Sequence, residues 1–427
     1  MSQSSPGKLA LHWQIFIAMV IGLIVGVLLR FGLSETARDS GTVAMVVGIL
    51  EGAGRLFISL LRMVIVPLVG SSIIVGVASI GDGKNLGRMG LKTFLFYTLT
   101  SLLAITGGLL LSNLIAPGQG VTMNTEAGPV FSPDDLQKPG SPLEILFRMI
   151  PENPVQALAE MDMLGIIFFC ILFGITLTHM QADHRDRILN IVDSVFQIMM
   201  KMTGAIISLA PYGVCGLVFR AVYRIEDPSL FYAIAKYMVT IATGLTIHMF
   251  IVLPLLLWLL TKKSPLNQFR HMTNALLTAF STSSSSATLP ITMECVEENA
   301  GVSNRVSSFV LPLGATVNMD GTALYECAGV LFIAQVMGVD LSFGQQMLVV
   351  VTALLASIGA AGIPSAGLVM IFIVLEAVGL TGDQVGVIVG TMLAVDRPLD
   401  MFRTATNVFS DSVGTVIIAH SEGEVTN

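Results

Sequence analysis

The chain has 427 residues, 53% hydrophobic and only 12% charged, about half the charged share of an average soluble protein. Apolar runs long enough to cross a bilayer recur from end to end, which excludes an ordinary soluble domain and points to an all-α polytopic membrane protein. The net charge of −7 does not set orientation, and the four cysteines (Cys170, Cys215, Cys295, Cys327) are scattered singly, with no metal-site spacing and no reason to expect disulfides.

The run ALHWQIFIAMVIGLIVGVLL after Lys8 has features of a signal peptide, but with so many spans behind it, it reads as a retained first helix, segment one at 10–33. Segment two, 43–79, is very long and interrupted by Glu51, Arg55 and Arg62, so it should be tilted with its charges at interfaces or facing protein. The linker GDGKNLGRMGLK carries Lys84, Arg88 and Lys92, the mark of a cytoplasmic loop. Segment three, 93–116, leads into Ala116–Pro142, a Gly/Pro/Asp-containing external loop with little positive charge. Segment four, 151–180, ends at HRDR, where Arg185 and Arg187 return the chain to the cytoplasm. Segments five and six follow at 188–222 and 229–261, and Lys262, Lys263 and Arg270 place the end of the sixth inside. Six crossings from a cytoplasmic N-terminus agree with that charge map.

After residue 264 the pattern changes. Leu277–Thr292 is apolar at both ends but broken by SSSSATLP, Ser283–Pro290, and a second cluster of helix breakers, SIGAAGIPSAG, occupies Ser357–Gly367. Taken singly, the serine run suits a flexible loop and the Gly/Ala run suits close helix packing. Each, however, is followed by a span with a dense polar motif, NMDGT (Asn318–Thr322) after the first and DRPLDMFRTATNVFSD (Asp396–Asp411) after the second. Two broken segments, each with its own polar helix, are the pattern of an inverted repeat in a secondary transporter, where irregular backbone at membrane depth lines a cavity.

Ionisable residues inside a span are costly and mark function by default. At about 100° per residue Asp400, Arg403, Asn407 and Asp411 share one helix face, with Thr404 beside them. A carboxylate, a guanidinium, an amide and a second carboxylate on one stripe suit a zwitterionic or ionic ligand. Arg403 is the specificity candidate, because its planar fork matches a carboxylate; Asp400, one turn earlier, either pairs with Arg403 or accepts a ligand's ammonium. In NMDGT a regular helix turns Asp320 away from both Asn318 and Thr322, so a shared site requires unwinding, which Gly321 permits. Freed carbonyls beside a carboxylate suit a small hard cation such as sodium; the alternative is that Asp320 is an ion-pair partner for an arginine.

SSSSATLP, LPLGATVNMDGTALYE, ASIGAAGIPSAG and LDMFRTATNVFSD, in this order, resemble the signature of the glutamate transporter family, the excitatory amino-acid transporters of animals and the sodium-coupled glutamate/aspartate symporters of bacteria and archaea. The similarity is densest over 275–420, and TSLLAITGG, RMVIVPLV and LAPYGV extend it more loosely. It implies eight transmembrane segments plus two re-entrant helical hairpins in inverted repeats, a homotrimer in the inner or plasma membrane with both termini cytoplasmic, and an elevator motion gated by the second hairpin. Residues 1–85 and 143–225 would form the scaffold, and 86–120 and 228–420 the transport domain. Carried over by motif, L-glutamate or L-aspartate would be held by Ser284, Ser285, Thr322, Asp400, Arg403, Thr404 and Asn407, with backbone groups near Ile363 and Gly367. Arg403 would read the side-chain carboxylate, Asp400 the ammonium and Asn407 the α-carboxylate. Co-transported sodium would sit at Gly314, Asn318, Asn407 and Asp411; at Tyr97, Thr100, Ser101, Asn318 and Asp320; and at main-chain oxygens around Thr316, Ser357, Ile358 and Ala360. No organic cofactor and no nucleic acid is implied.

Two departures from that pattern matter. Archaeal members carry an Arg just before the hairpin serines where this chain has Ser283, and Arg397 either supplies the missing charge or is an interface arginine. Glu326 stands where archaeal members have Gln and the proton-coupled animal carriers have Glu; a carboxyl out of water can take up a proton, so Glu326 is the candidate proton carrier. The alternative within transport is a proton/C4-dicarboxylate symporter, some of which share Asp-Arg at 396–397 but lack the full L-D-M-x-R-T pattern. An intramembrane serine hydrolase would need a base near the serine run, yet His12, His179, His184, His248, His271 and His420 fall in no motif with it and GxSxG is absent. A pure channel is the third option.

Overall fold

The computed structural model describes residues 11–32, 40–78, 84–121, 150–160, 162–224, 229–360 and 366–424. Among the described residues the secondary structure is helical throughout: α1 (Leu11–Phe31), α2 (Gly41–Ala78), α3 (Lys84–Ile115), α4 (Pro154–Glu160), α5 (Met163–Thr178), α6 (Ala182–Ser208), α7 (Ala210–Arg224), α8 (Ser229–Ile247), α9 (Leu253–Thr261), α10 (Pro265–His271), α11 (Thr273–Thr282), α12 (Ser285–Glu294), α13 (Asn304–Val317), α14 (Asp320–Val336), α15 (Phe343–Gly359), α16 (Ala366–Ala377) and α17 (Asp383–Ser421). Single π turns at His248–Val252 and Cys295–Asn299 adjoin α9 and α12.

The long second segment is one helix of 38 residues. At 1.5 Å per residue it is roughly 57 Å long, well beyond a hydrocarbon core of about 30 Å, so it must tilt or run past the bilayer. Its Glu51 is buried and lies 3.5 Å from the exposed Arg55. The fifth segment is divided into α6 and α7, because Pro211 in the first turn of α7 has no N–H with which to continue the ladder. Residues 84–92, expected as loop, are instead the first turns of α3, a correction with a visible cause. Lys92 Nζ and Arg88 Nη2 each reach Glu422 just beyond α17, at 2.6 Å.

Two packing groups are evident. In one, α1 lies on α7, and α2 lies on α5, α6 and α7. Helix backbones approach closely here, since a Cβ on Gly216 would fall on the carbonyl oxygen of Leu50. The other group is built around α14, which packs on α3, α8, α15, α16 and α17 and buries every residue except Gln335. A helix buried all round belongs at the centre of a body rather than on its face. Ile21 and Leu28 on α1, Met45 and Ile49 on α2, Ile191 and Ile198 on α6, and Leu255 on α9 are exposed, an apolar outer surface suited to lipid.

The expected breaks fall inside the second group. Ser283 closes α11 in the left-handed region, φ 53°, and extended Ser284 caps α12 by accepting from the Ala287 N–H at 3.2 Å. The paired helices α11 and α12 pack together, as do α15 and α16, whose connection at 361–365 lies outside the described residues. Asn318 and Met319 interrupt the chain between α13 and α14, and α17 crosses α11, α13 and α14 without interruption.

Glu422 ties the end of α17 to α3. Hydrogen bonds from Lys92 and then Arg88 hold its carboxyl below the ordinary glutamate range. A depressed group stabilises the fold above its unfolded value and loses that contribution as pH falls through its folded one. Glu422→Gln should therefore lower the thermal midpoint of the detergent-purified protein at pH 7, and that difference from the wild type should shrink and vanish as the pH is taken down through the carboxylate range.

Candidate functional site

α17 presents a stripe of side chains that runs from Asp396 to Asp411, about 22 Å at helical rise. It is flanked along its length by α14 and, at one end, by α3 and the π turn after α8. Asp396, Asp400, Arg403, Thr404, Asn407, Ser410 and Asp411 are all buried. Buried charges survive only when paired, and the stripe divides into three connected clusters that show how.

The first surrounds Arg403, whose side chain is 1% exposed. Its Nη2 donates to Asp400 Oδ1, Nη1 lies 3.7 Å from Asp396 Oδ1, and Cζ sits 4.3 Å over the ring of Tyr325. The aromatic face supports a cation without taking its donors. Nη1 has no hydrogen-bond partner among the described residues. Gly367 faces that nitrogen, and a Cβ there would stand 2.7 Å from it. Arg397 turns toward the same cluster, with Nη1 3.7 Å from Asp400 Oδ2. Asp400 is thus bracketed by two guanidinium groups, and the Thr404 hydroxyl donates to its main-chain oxygen at 2.8 Å.

The second cluster is made at the start of α14. The Gly321 N–H donates to Asn407 Oδ1 at 2.8 Å, and Asn407 Nδ2 reaches Thr322 Oγ1 at 3.3 Å and Met319 Sδ at 3.5 Å. Gly321 is needed here for space, since a Cβ would meet Arg403 Cγ at 2.9 Å and Asn407 Oδ1 at 3.1 Å.

The third centres on Asp320, fully buried at the first position of α14. Ser101 and Thr100 donate to Oδ1 at 2.7 and 3.2 Å, while His248 Nε2 and Ser410 Oγ approach Oδ2 at 2.9 and 2.6 Å. Asn318 Nδ2 bridges Ser410 Oγ at 3.0 Å and Asp411 Oδ1 at 2.9 Å. Tyr97 donates to the Val310 carbonyl at 3.0 Å, and its oxygen and Asp411 Oδ1 flank Gly314, where a Cβ would lie 2.6 and 2.5 Å from them. The unwinding at Asn318–Met319 lets Asn318 and Asp320 face one set of partners, as the spacing of NMDGT requires. Among the described residues Asp320's partners are an imidazole and hydroxyls, not an arginine.

The remaining candidates stand apart from this network. Ser284 and Ser285 are buried at the start of α12, which packs on α17. The hydroxyl of Thr316 turns back to the Leu313 carbonyl at 3.1 Å and that of Ser357 to Leu354 at 2.8 Å, leaving main-chain oxygens as what this set can offer an ion. Ala360 is buried and Ile358 half-buried, whereas Ile363 lies outside the described residues. Glu326 is 0% exposed, and neither carboxyl oxygen has a hydrogen-bond partner among the described residues. Sequence reasoning gave no role to His248, Ser410, Asp396 or the Tyr325 ring. The only signal for His248 was an ionisable residue inside an apolar run.

The model of the sodium:dicarboxylate symporter family matches residues 11–421. An excitatory amino acid transporter of Caenorhabditis elegans is 38% identical over 94% of this chain and 86% of its own length. Excitatory amino acid transporter 3 of Oryctolagus cuniculus is 35% identical, covering 94% of this chain and 83% of the relative, and that of Homo sapiens is 34% identical, covering 97% and 88%.

Gly314 tests how tightly the third cluster is built. Gly314→Ala should displace Asp411 and Tyr97 and destabilise the protein by about 1–3 kcal/mol, as overpacking does. Alanine at Gly48, where nothing lies within 4 Å of an added Cβ, should leave the thermal midpoint unchanged or slightly raised.

Proposed function

This chain belongs to the sodium:dicarboxylate symporter family, a family of multi-pass membrane transporters rather than enzymes, and from that premise we propose that it imports L-glutamate or L-aspartate with sodium. The observation that supports an acidic amino acid is the buried Arg403 with one nitrogen engaged by Asp400 and the other without a hydrogen bond among the described residues. The Nη1 side of the fork, without a hydrogen bond among the described residues, suits a side-chain carboxylate, and Asp400, released from Arg403, suits an ammonium. Asn407 and Thr322 complete the zwitterion's surroundings, and Ser284, Ser285 and the backbone near Ile363 and Gly367 close it from the hairpins. A dicarboxylate without an ammonium would have less use for Asp400.

Sodium is assigned to the oxygen-rich cluster of Tyr97, Thr100, Ser101, Asn318 and Asp320, to Gly314, Asn318, Asn407 and Asp411, and to main-chain oxygens around Thr316, Ser357, Ile358 and Ala360. Hard oxygen donors without thiolates suit an alkali cation, which is cargo here. Glu326 is assigned the proton, a reading supported by its complete burial without a hydrogen-bond partner among the described residues. The two packing groups support a scaffold of 1–85 and 143–225 beside a mobile body of 86–120 and 228–420, which carries substrate and ions together across the membrane. Their contacts run mainly between α2, α5 and α7 on one side and α15, α16 and α17 on the other. We further propose eight spans with two re-entrant hairpins, a homotrimer in the cell membrane and cytoplasmic termini.

Proteoliposomes loaded without sodium should take up labelled L-aspartate only under an inward sodium gradient; sodium-independent uptake of succinate in preference to aspartate would overturn the assignment. Arg403→Cys should abolish uptake of acidic amino acids and admit neutral ones, with unchanged glutamate affinity as the contrary result. Glu326→Gln should flatten the dependence of uptake on external pH, and an unaltered pH profile would make Glu326 structural.

A further inference from the structure

We propose that His248 is a positioning residue for sodium coupling: with Ser410 it fastens one oxygen of Asp320, so that the other is presented to the ion together with the Thr100 and Ser101 hydroxyls. The proposal rests on the reading of Asp320 as a sodium ligand.

The two oxygens of Asp320 have different company. Among the described residues Oδ1 receives only the hydroxyls of Ser101, at 2.7 Å, and Thr100, at 3.2 Å. A hydroxyl rotates about its C–O bond and can turn a lone pair toward a cation in place of its hydrogen. Thr100 already lies between several acceptors, the Tyr97 carbonyl at 3.1 Å and Asn318 Oδ1 at 3.4 Å, so several oxygens converge on this side. Oδ2 receives donors that cannot make that exchange. Ser410 accepts from Asn318 Nδ2 at 3.0 Å, which leaves its hydrogen aimed at Asp320 at 2.6 Å. His248 Nε2 stands 2.9 Å from Oδ2, and a ring nitrogen facing a carboxylate must carry the hydrogen.

The imidazole has nothing else to do. Its side chain is 2% exposed and its Nδ1 has no hydrogen-bond partner among the described residues, so its one polar contact is Asp320. The backbone at this residue is also irregular, because the Leu253 N–H closes a π turn on the His248 carbonyl, a local rewinding that often accompanies function. His248 comes from the π turn after α8 and Ser410 from α17, so two separate elements converge on the same carboxylate oxygen. Groups that orient a metal-binding carboxylate typically change affinity about 10- to 100-fold when removed.

The test is a sodium titration of L-aspartate binding to the purified full-length protein, with thermal unfolding as a check on folding. His248→Ala should raise the half-saturating sodium concentration about tenfold or more while leaving aspartate affinity at saturating sodium nearly unchanged. His248→Gln, which keeps an N–H donor, should restore most of the sodium affinity, and Ser410→Ala should shift it in the same direction by less. Asp320→Asn separates the two readings. If it weakens sodium and His248→Ala does not, the sodium site stands and His248 has no part in it. If Asp320→Asn leaves the sodium dependence untouched, the site assignment fails and takes the proposal with it. Should His248→Ala fail to fold, Ser410→Ala and His248→Gln decide: no sodium shift from Ser410→Ala, or a loss of aspartate affinity equal to that of sodium, overturns the proposal.

Discussion

The structure depends on one ion pair kept out of water. Arg403 and Asp400 lie a single turn apart on α17, both nearly inaccessible, and the guanidinium bonds the carboxylate directly. Removing either charge from water alone is prohibitive, whereas the pair is tolerable when its remaining donors and acceptors are met. Tyr325 meets part of that demand through its ring face, and Arg397 and Asp396 extend the pair to two guanidinium groups and two carboxylates. The four formal charges sum to zero, which is why a helix this polar can run through the centre of an apolar body. The balance leaves Arg403 Nη1 facing Gly367 without a hydrogen-bond partner among the described residues, the position at which we propose a ligand carboxylate is read.

The second carboxylate centre solves the same problem by other means. Among the described residues Asp320 has no arginine or lysine partner and is met by three hydroxyls and an imidazole. Those donors come from α3, the π turn after α8, and α17, so this cluster forms only where three elements meet the start of α14. The break at Asn318–Met319 makes this possible, because a continuous helix would have turned Asp320 away from Asn318. The described departures from regular helix at Ser283–Ser284, Asn318–Met319 and Ala360 thus fall among the proposed binding residues, as expected where irregular backbone must be met by protein or ligand.

Much of this was legible in the residues. The all-α membrane architecture follows from apolar run length, and the stripe of Asp400, Arg403, Asn407 and Asp411 follows from the helical period, which is a local property of the chain. Gly321 and the NMDGT spacing announced an interruption where one occurs. Loop and helix boundaries were less secure. Residues 84–92 read as a basic loop from composition but are helix, because Arg88 and Lys92 are fixed by Glu422 across more than 300 positions.

What the tertiary structure alone decided is the partner of each charge. His248 meets Asp320 across 72 positions and Ser101 meets it across 219. Nothing in either neighbourhood specifies the other. Periodicity fixes which residues share a helix face, but the rotation of that helix about its axis, and its register against the next, are set by the packing of whole helices. Arg397 shows the difference best: its position on α17 allowed an interface or a site role, and only the packed structure turned it toward Asp400.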